Sequence, residues 1–225
     1  MTAFSGFSPD FPRFLAALGG NNDTGWFNAH KAEYRALVQQ PLQALLAALA
    51  PAMLAIDPAF VTDPRGAVSR IRRDVRFSRD KSPYRVNQWI SFKRRGEGWP
   101  DRPAFFLELG PGGYRYGMGF YAASPATMAG IRTAIAARPH AFVDALAPAL
   151  AAGFALEGDC YRRPRPAPDM APEAALWFQR KNAFLCRNRP LEPLVFSDAL
   201  PAEVATRLGA MADLYRFLSN AKSAP

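Results

Sequence analysis

With 225 residues, 49% of them hydrophobic and 12% aromatic, the chain has the composition of a folded globular protein, which excludes disordered and fibrous classes. No run reaches the roughly eighteen uncharged apolar residues that cross a membrane. Residues 1–10 carry neither a basic leader nor an apolar segment, so a cytoplasmic protein with no membrane partner is expected. Lys and Arg number 28 against 19 Asp and Glu, a net charge of +9, which points to anionic partners and says nothing about fold.

In chain order, the stretch SPDFPRFLAAL, Ser8 to Leu18, opens with a capping serine and a proline suited to the first helical turn, and GGNN ends it. Residues 24–38 are predicted as a second helix, capped from Asn22 or Asp23. Phe27, His30, Tyr34 and Leu37 share its core-facing stripe, which makes His30 a structural histidine. Pro41 begins a third helix, ending near Ile56, with Leu42, Leu45, Leu46, Leu49 and Met53 at core spacing.

The pattern changes after Asp57. Residues 68–78, 86–94, 104–109 and 114–121 read as strands, with GPGG at 110–113 as a hairpin turn. No helix-length stretch separates them, so antiparallel pairing in a meander is expected. Helices follow from Ser124 and around Phe142 to Leu150, then a short strand at 154–162, a proline-rich connector, a helix at 172–180 and a strand at 183–188. A terminal helix from Pro201 carries Val204, Leu208, Met211, Tyr215 and Leu218 in one stripe. This order predicts an α+β fold, a central antiparallel, meander-like sheet covered by N-terminal and C-terminal helices, in a single domain over 1–225.

Between Arg65 and Arg102 lie twelve basic residues and four acids, so almost the whole net charge sits in one segment. Its centre is RIRRDVRFSRDKSPYR, residues 70–85. Strand alternation would put Ile71, Arg73, Val75 and Phe77 on one face and Arg70, Arg72, Asp74 and Arg76 on the other. Arg73 on an apolar face needs a carboxylate or an anionic ligand, with Asp74, Asp80 and Glu108 as candidate partners. The other face is a row of guanidinium groups suited to phosphate or carboxylate. Ser78, Asp80 and Pro83 favour a turn, in which Asp80 beside Lys81 either holds the loop or takes part in chemistry. Tyr84 either meets a ligand or packs.

Recognisable catalytic constellations are absent. His30 and His140 are the only histidines, neither in a nucleophile motif, and Cys160 and Cys186 lack metal-ligand spacing and read as reduced structural thiols. No metal site is expected and no cofactor is assigned. The segment is best read as binding a phosphorylated or otherwise anionic small molecule. Arg70, Arg73, Arg76 and Ser78 would line its pocket with Lys81, Tyr84 and Arg85, and Trp26 and Lys31 of the second helix would lie nearby. If chemistry occurs there, Asp74 or Asp80 is the candidate general acid or base. The alternatives are a nucleic-acid-binding strand pair with Trp89, Phe92 and Trp99 interleaved, and a non-catalytic module that meets an acidic partner.

The two motifs NNDTGWFNAHKAEY and RIRRDVRFSRDKSPYR together resemble the family known as domain of unknown function 2461. The first matches its Asn-Asn-x-x-x-Trp-Phe-x-x-x-Lys-x-x-Tyr element on Asn21, Asn22, Trp26, Phe27, Lys31 and Tyr34. The second matches its Arg-Asp-x-Arg-Phe-Ser-x-Asp-Lys-x-Pro-Tyr-Lys element from Arg73 to Tyr84, with Arg85 in place of the final lysine. A looser likeness runs through YRRP to Lys181, where Ala171 replaces a histidine of the family pattern. The resemblance spans nearly the whole chain and implies a set of residues, not an activity.

Overall fold

In the computed structural model, which describes residues 3–76, 79–96, 98–163 and 167–221, the N-terminal third is helical because its apolar residues recur at helical spacing. Helix α1 (Asp10–Gly20) buries Phe11, Phe14, Leu15 and Leu18, and the Ser8 hydroxyl accepts from the Asp10 N–H at 3.1 Å. Helix α2 (Thr24–Ala29) is capped by Asp23, whose carboxylate accepts from the Trp26 N–H at 2.9 Å. The single helix expected over 24–38 is divided at His30, where α3 (Lys31–Tyr34) begins.

A π-helical turn, Arg35–Gln39, joins α3 to α4 (Gln40–Ile56). The resulting run, Lys31–Ile56, is 26 residues long, longer than the sequence suggested, and by length and composition it could cross a membrane. Its apolar stripe, Val38, Leu42, Leu45, Leu46, Leu49 and Met53, is instead buried in the protein's core. Burying such side chains contributes about 1.5–3 kcal/mol each.

The sheet contains β1 (Gln88–Phe92), β2 (Pro103–Gly110), β3 (Gly113–Phe120), β4 (Ala155–Glu157) and β5 (Phe184–Arg189). Its order is β1-β2-β3-β5-β4, with every neighbour antiparallel. The meander expectation holds for the first three strands, whereas β5 inserts between β3 and β4. Strand β4 is shorter than expected because Gly158, at φ +114°, turns the chain against the Asn182 carbonyl, where a Cβ has no room.

The strand expected over 68–78 is not formed in the described part of that segment. Isolated bridges join Val68 to Ile90 and Arg72 to Tyr84. Between them the Ser69 hydroxyl accepts from the Trp89 N–H at 2.9 Å, taking a ladder position from the backbone, and Pro83 has no N–H to offer. The alternation survives without the ladder, since Ile71, Arg73 and Val75 are half-buried while Arg70, Arg72, Asp74 and Arg76 are exposed.

Helices α5 (Pro64–Ala67), α6 (Pro125–Ala137), α7 (Pro139–Ala151) and α8 (Pro172–Phe178) are followed by α9 (Leu200–Gly209) and α10 (Ala212–Ala221). The last two replace the single terminal helix, yet Val204, Leu208, Met211, Tyr215 and Leu218 all remain buried. Helices α4, α10 and α9 pack on β1, β2 and β3 respectively. They meet the sheet face carrying Ile90, Phe92, Phe105, Leu107, Tyr116 and Met118, all buried. The opposite face carries half-buried side chains at alternate positions. This is the α+β architecture expected, with α4, α9 and α10 on one side of the sheet.

Candidate functional site

Strand register determines what the outward face presents. Trp89 stands opposite Glu108 and Glu108 opposite Arg115, and one row along, Ser91 faces Phe106 and Phe106 faces Gly117. In the next row Ala104 faces Gly119 and Gly119 faces Phe184. Small residues thus lie between large ones, and the result is a groove of about 740 Å³ across the strands.

Six cations line it: Arg65 of α5, Arg70 and Arg73 beyond it, Arg85 and Lys93 flanking β1, and Arg115 of β3. Glu108 is the one acid of that lining. Its carboxylate accepts from Arg115 at 2.9 Å and from the Asn87 amide at 2.8 Å. Arg65, Arg70 and Arg85 have no ion-pair partner among the described residues. Burial lowers the Lys93 pKa, as expected where a cation loses water.

The aromatic floor is paired with these cations. The Arg85 guanidinium lies 5.0 Å from the Trp89 ring centroid, and that of Arg115 lies 5.9 Å from Phe106. Phe106 and Phe184 meet edge to face at 6.3 Å. Two polar atoms of the lining are buried without a hydrogen-bond partner, Arg73 Nε and Asn182 Oδ1. A buried orphan of this kind costs about 1–3 kcal/mol.

Of the residues named from the sequence, the structure brings Arg70, Arg73 and Arg85 to the groove. Arg73 pairs with Asp80 at 3.1 Å, while Glu108, another candidate partner, is taken by Arg115. Arg76 and Lys81 are not in the lining. Arg76 forms a two-pronged pair with Asp74 at 3.0 and 2.7 Å, and Lys81 donates to the Val75 carbonyl at 2.9 Å. Tyr84 is fully buried, its ring stacked on Phe27 at 4.1 Å. Trp26 stacks on His30 at 4.0 Å and packs near Phe14, and Lys31 is exposed on α3. Ser78 and the Trp99 side chain lie outside the described residues. Phe92 is wholly buried on the helix-covered face, so it is unable to stack on a ligand as the nucleic-acid alternative required.

Asp74 and Asp80 stand in the loop between Arg73 and Pro83, both exposed. The hydrogen bonds from Arg76 hold the Asp74 carboxyl at about 2, and those from the Ser82 hydroxyl and N–H lower that of Asp80. Both are carboxylates at neutral pH with weak proton affinity, which suits charge pairing better than general-base work.

The sequence reading missed Arg65, Lys93, Arg115, Phe106, Phe184 and Asn182. The signal of Arg115, Phe106 and Phe184 was present in the outward positions of β3, β2 and β5, but which rows they share depends on register, while Arg65, Lys93 and Asn182 lie outside the strands and join the groove only through the fold. Among the described residues no cluster of His, Cys, Asp and Glu is arranged to hold a metal ion.

A search among curated proteins finds no match to this chain. The model of one family, described as conserved hypothetical protein (DUF2461), matches residues 10–217. The motif carrying Asn22 and the motif carrying Tyr84, which meet in the fold at 2.9 Å, both fall in the matched region, and the chain belongs to the DUF2461 family.

Proposed function

We propose that the protein binds a phosphorylated or similarly anionic ligand in the groove on the outward face of its sheet. The observation that supports this most is the charge balance of the lining, six cations against one carboxylate already bound by Arg115. Like charges held this close repel one another, and an anion relieves that repulsion while accepting hydrogen bonds from guanidinium forks. The groove's volume lies within the range of small-molecule sites, about 300–1,000 Å³.

The test is thermal melting of the full chain with inorganic pyrophosphate and with mononucleotides at low salt. The melting temperature rises with ligand concentration in the wild-type protein, and Arg70→Gln together with Arg85→Gln removes most of the rise. No shift with any phosphate compound would sink the reading.

A further inference from the structure

The groove repeats one arrangement: a flat ring beside a guanidinium, Trp89 with Arg85 at β1 and Phe106 with Arg115 at β2 and β3. A third ring, Phe184, continues the line on β5. The register sets these rings on a diagonal, because Phe106 lies one row beyond Trp89 and Phe184 one row beyond Phe106. A phosphorylated metabolite needs one such unit. A polymer whose every unit holds one flat ring and one phosphate needs several in succession.

We propose that the occupant of this groove is single-stranded nucleic acid, its bases seated on Trp89, Phe106 and Phe184 and its phosphates on the flanking arginines. The proposal rests on the anion-binding reading above and names the ligand class for the same site. Charge complementarity supports a polyanion, since nearly all of the chain's net +9 arises in the segment that borders the groove. The ring orientation selects the strand state. Phe106 and Phe184 stand nearly perpendicular, their planes 76° apart, so bases seated on both are turned out of a common stack, which a duplex does not allow. Gly119 lets Phe184 lie close against β3, where a Cβ would collide with the Phe184 side chain, and so brings that ring beside Phe106.

Fluorescence anisotropy of the full chain with labelled oligouridylate and oligothymidylate decamers tests this. Pyrophosphate, mononucleotides and polyglutamate serve as competitors. The decamers are expected to bind more tightly than dinucleotides, with at least a tenfold loss of affinity between about 50 and 200 mM salt. Phe106→Leu and Phe184→Leu keep an apolar side chain but remove the ring. Each is expected to weaken decamer binding about fivefold or more and to lower pyrophosphate affinity by a clearly smaller factor, with folding checked by thermal melting. The length dependence requires no variant and decides the matter even if a variant fails to fold. Equal affinity for mononucleotide and decamer overturns the inference while the anion site stands, and equal competition by polyglutamate overturns it in favour of an acidic peptide. Failure of every anion to bind removes both readings.

Discussion

The side-chain amide of Asn22 holds both backbone groups of Tyr84: its Nδ2 donates to the Tyr84 carbonyl at 3.0 Å, and its Oδ1 accepts from the Tyr84 N–H at 2.9 Å. An amide thus imitates one rung of a β-ladder across 62 residues of sequence. It ties the start of the second helix to the segment carrying Arg73 and Arg85, and the Phe27–Tyr84 stack lies beside it. Asn22→Ala leaves two partly buried backbone groups without their partner, at a cost of about 2 kcal/mol. Asn22→Asp keeps the acceptor and sets an anion against the carbonyl, so it rescues little of that loss. Urea denaturation of both variants checks the pair, and an unchanged midpoint for Asn22→Ala would count against the clasp.

A second long-range tie lies at the other end of the sheet. Asp57, 3% exposed, accepts from Arg94 Nε at 2.6 Å, from the Ala59 N–H at 3.0 Å and from the Tyr215 hydroxyl. Burial alone would raise its pKa, but the bonds from Arg94, Tyr215 and Ala59 outweigh burial and lower it. A carboxyl depressed on folding stabilises the protein above its unfolded pKa, about 3.9. That stabilisation is lost as the pH falls through the lower folded value. Tyr215→Phe removes one bond to the charged carboxylate and costs about 1.5–3 kcal/mol at neutral pH. The gap from wild type is expected to narrow below about pH 4. Chemical denaturation across pH measures it, and a gap that widens in acid would contradict the assignment.

Much of this was legible in the sequence because it was local. Helical spacing, the Pro111–Gly112 turn and the alternation of Ile71, Arg73 and Val75 need only near neighbours. Asn22 and Asp23 competed for one capping role. The structure gives the cap to Asp23 and sends Asn22 to Tyr84, a partner that no local rule identifies. The groove was half legible for the same reason. Arg70, Arg73 and Arg85 were visible as a charge cluster, whereas Arg115, Phe106 and Phe184 become its neighbours only through the register of β2, β3 and β5. Tyr84 beside a dense cationic run looked ligand-facing, but its bridge to Arg72 turns the ring into the core.

The two thiols should react very differently. Cys186 is buried on β5, and burial, with a further contribution from Glu157, pushes its pKa up to about 12. Cys160 is exposed. Since the thiolate is the reactive form, an aromatic disulfide reagent at neutral pH titrates one thiol in the native protein, and the second only after denaturant is added. Cys160→Ser removes the fast phase. Two fast thiols in the native protein would show that β5 is more open than described.

Glu108 sets the strength of the groove, because its carboxylate occupies Arg115, binding both Nη2 and Nε. Glu108→Gln removes that competitor, frees the guanidinium for a ligand phosphate and leaves an amide able to keep the Asn87 contact. One more phosphate of a single strand neutralised adds about 0.7 to the slope of log affinity against log salt. The gain at low salt is about 1 kcal/mol, on the order of fivefold. Glu173→Gln, exposed in the first turn of α8, changes the net charge equally at a distance from the groove and serves as the control. Titration of both variants with pyrophosphate and with an oligothymidylate decamer separates local from global charge. If they bind alike, Glu108 does not govern the groove, and the net charge of the chain accounts for its anion binding without any contribution from the site.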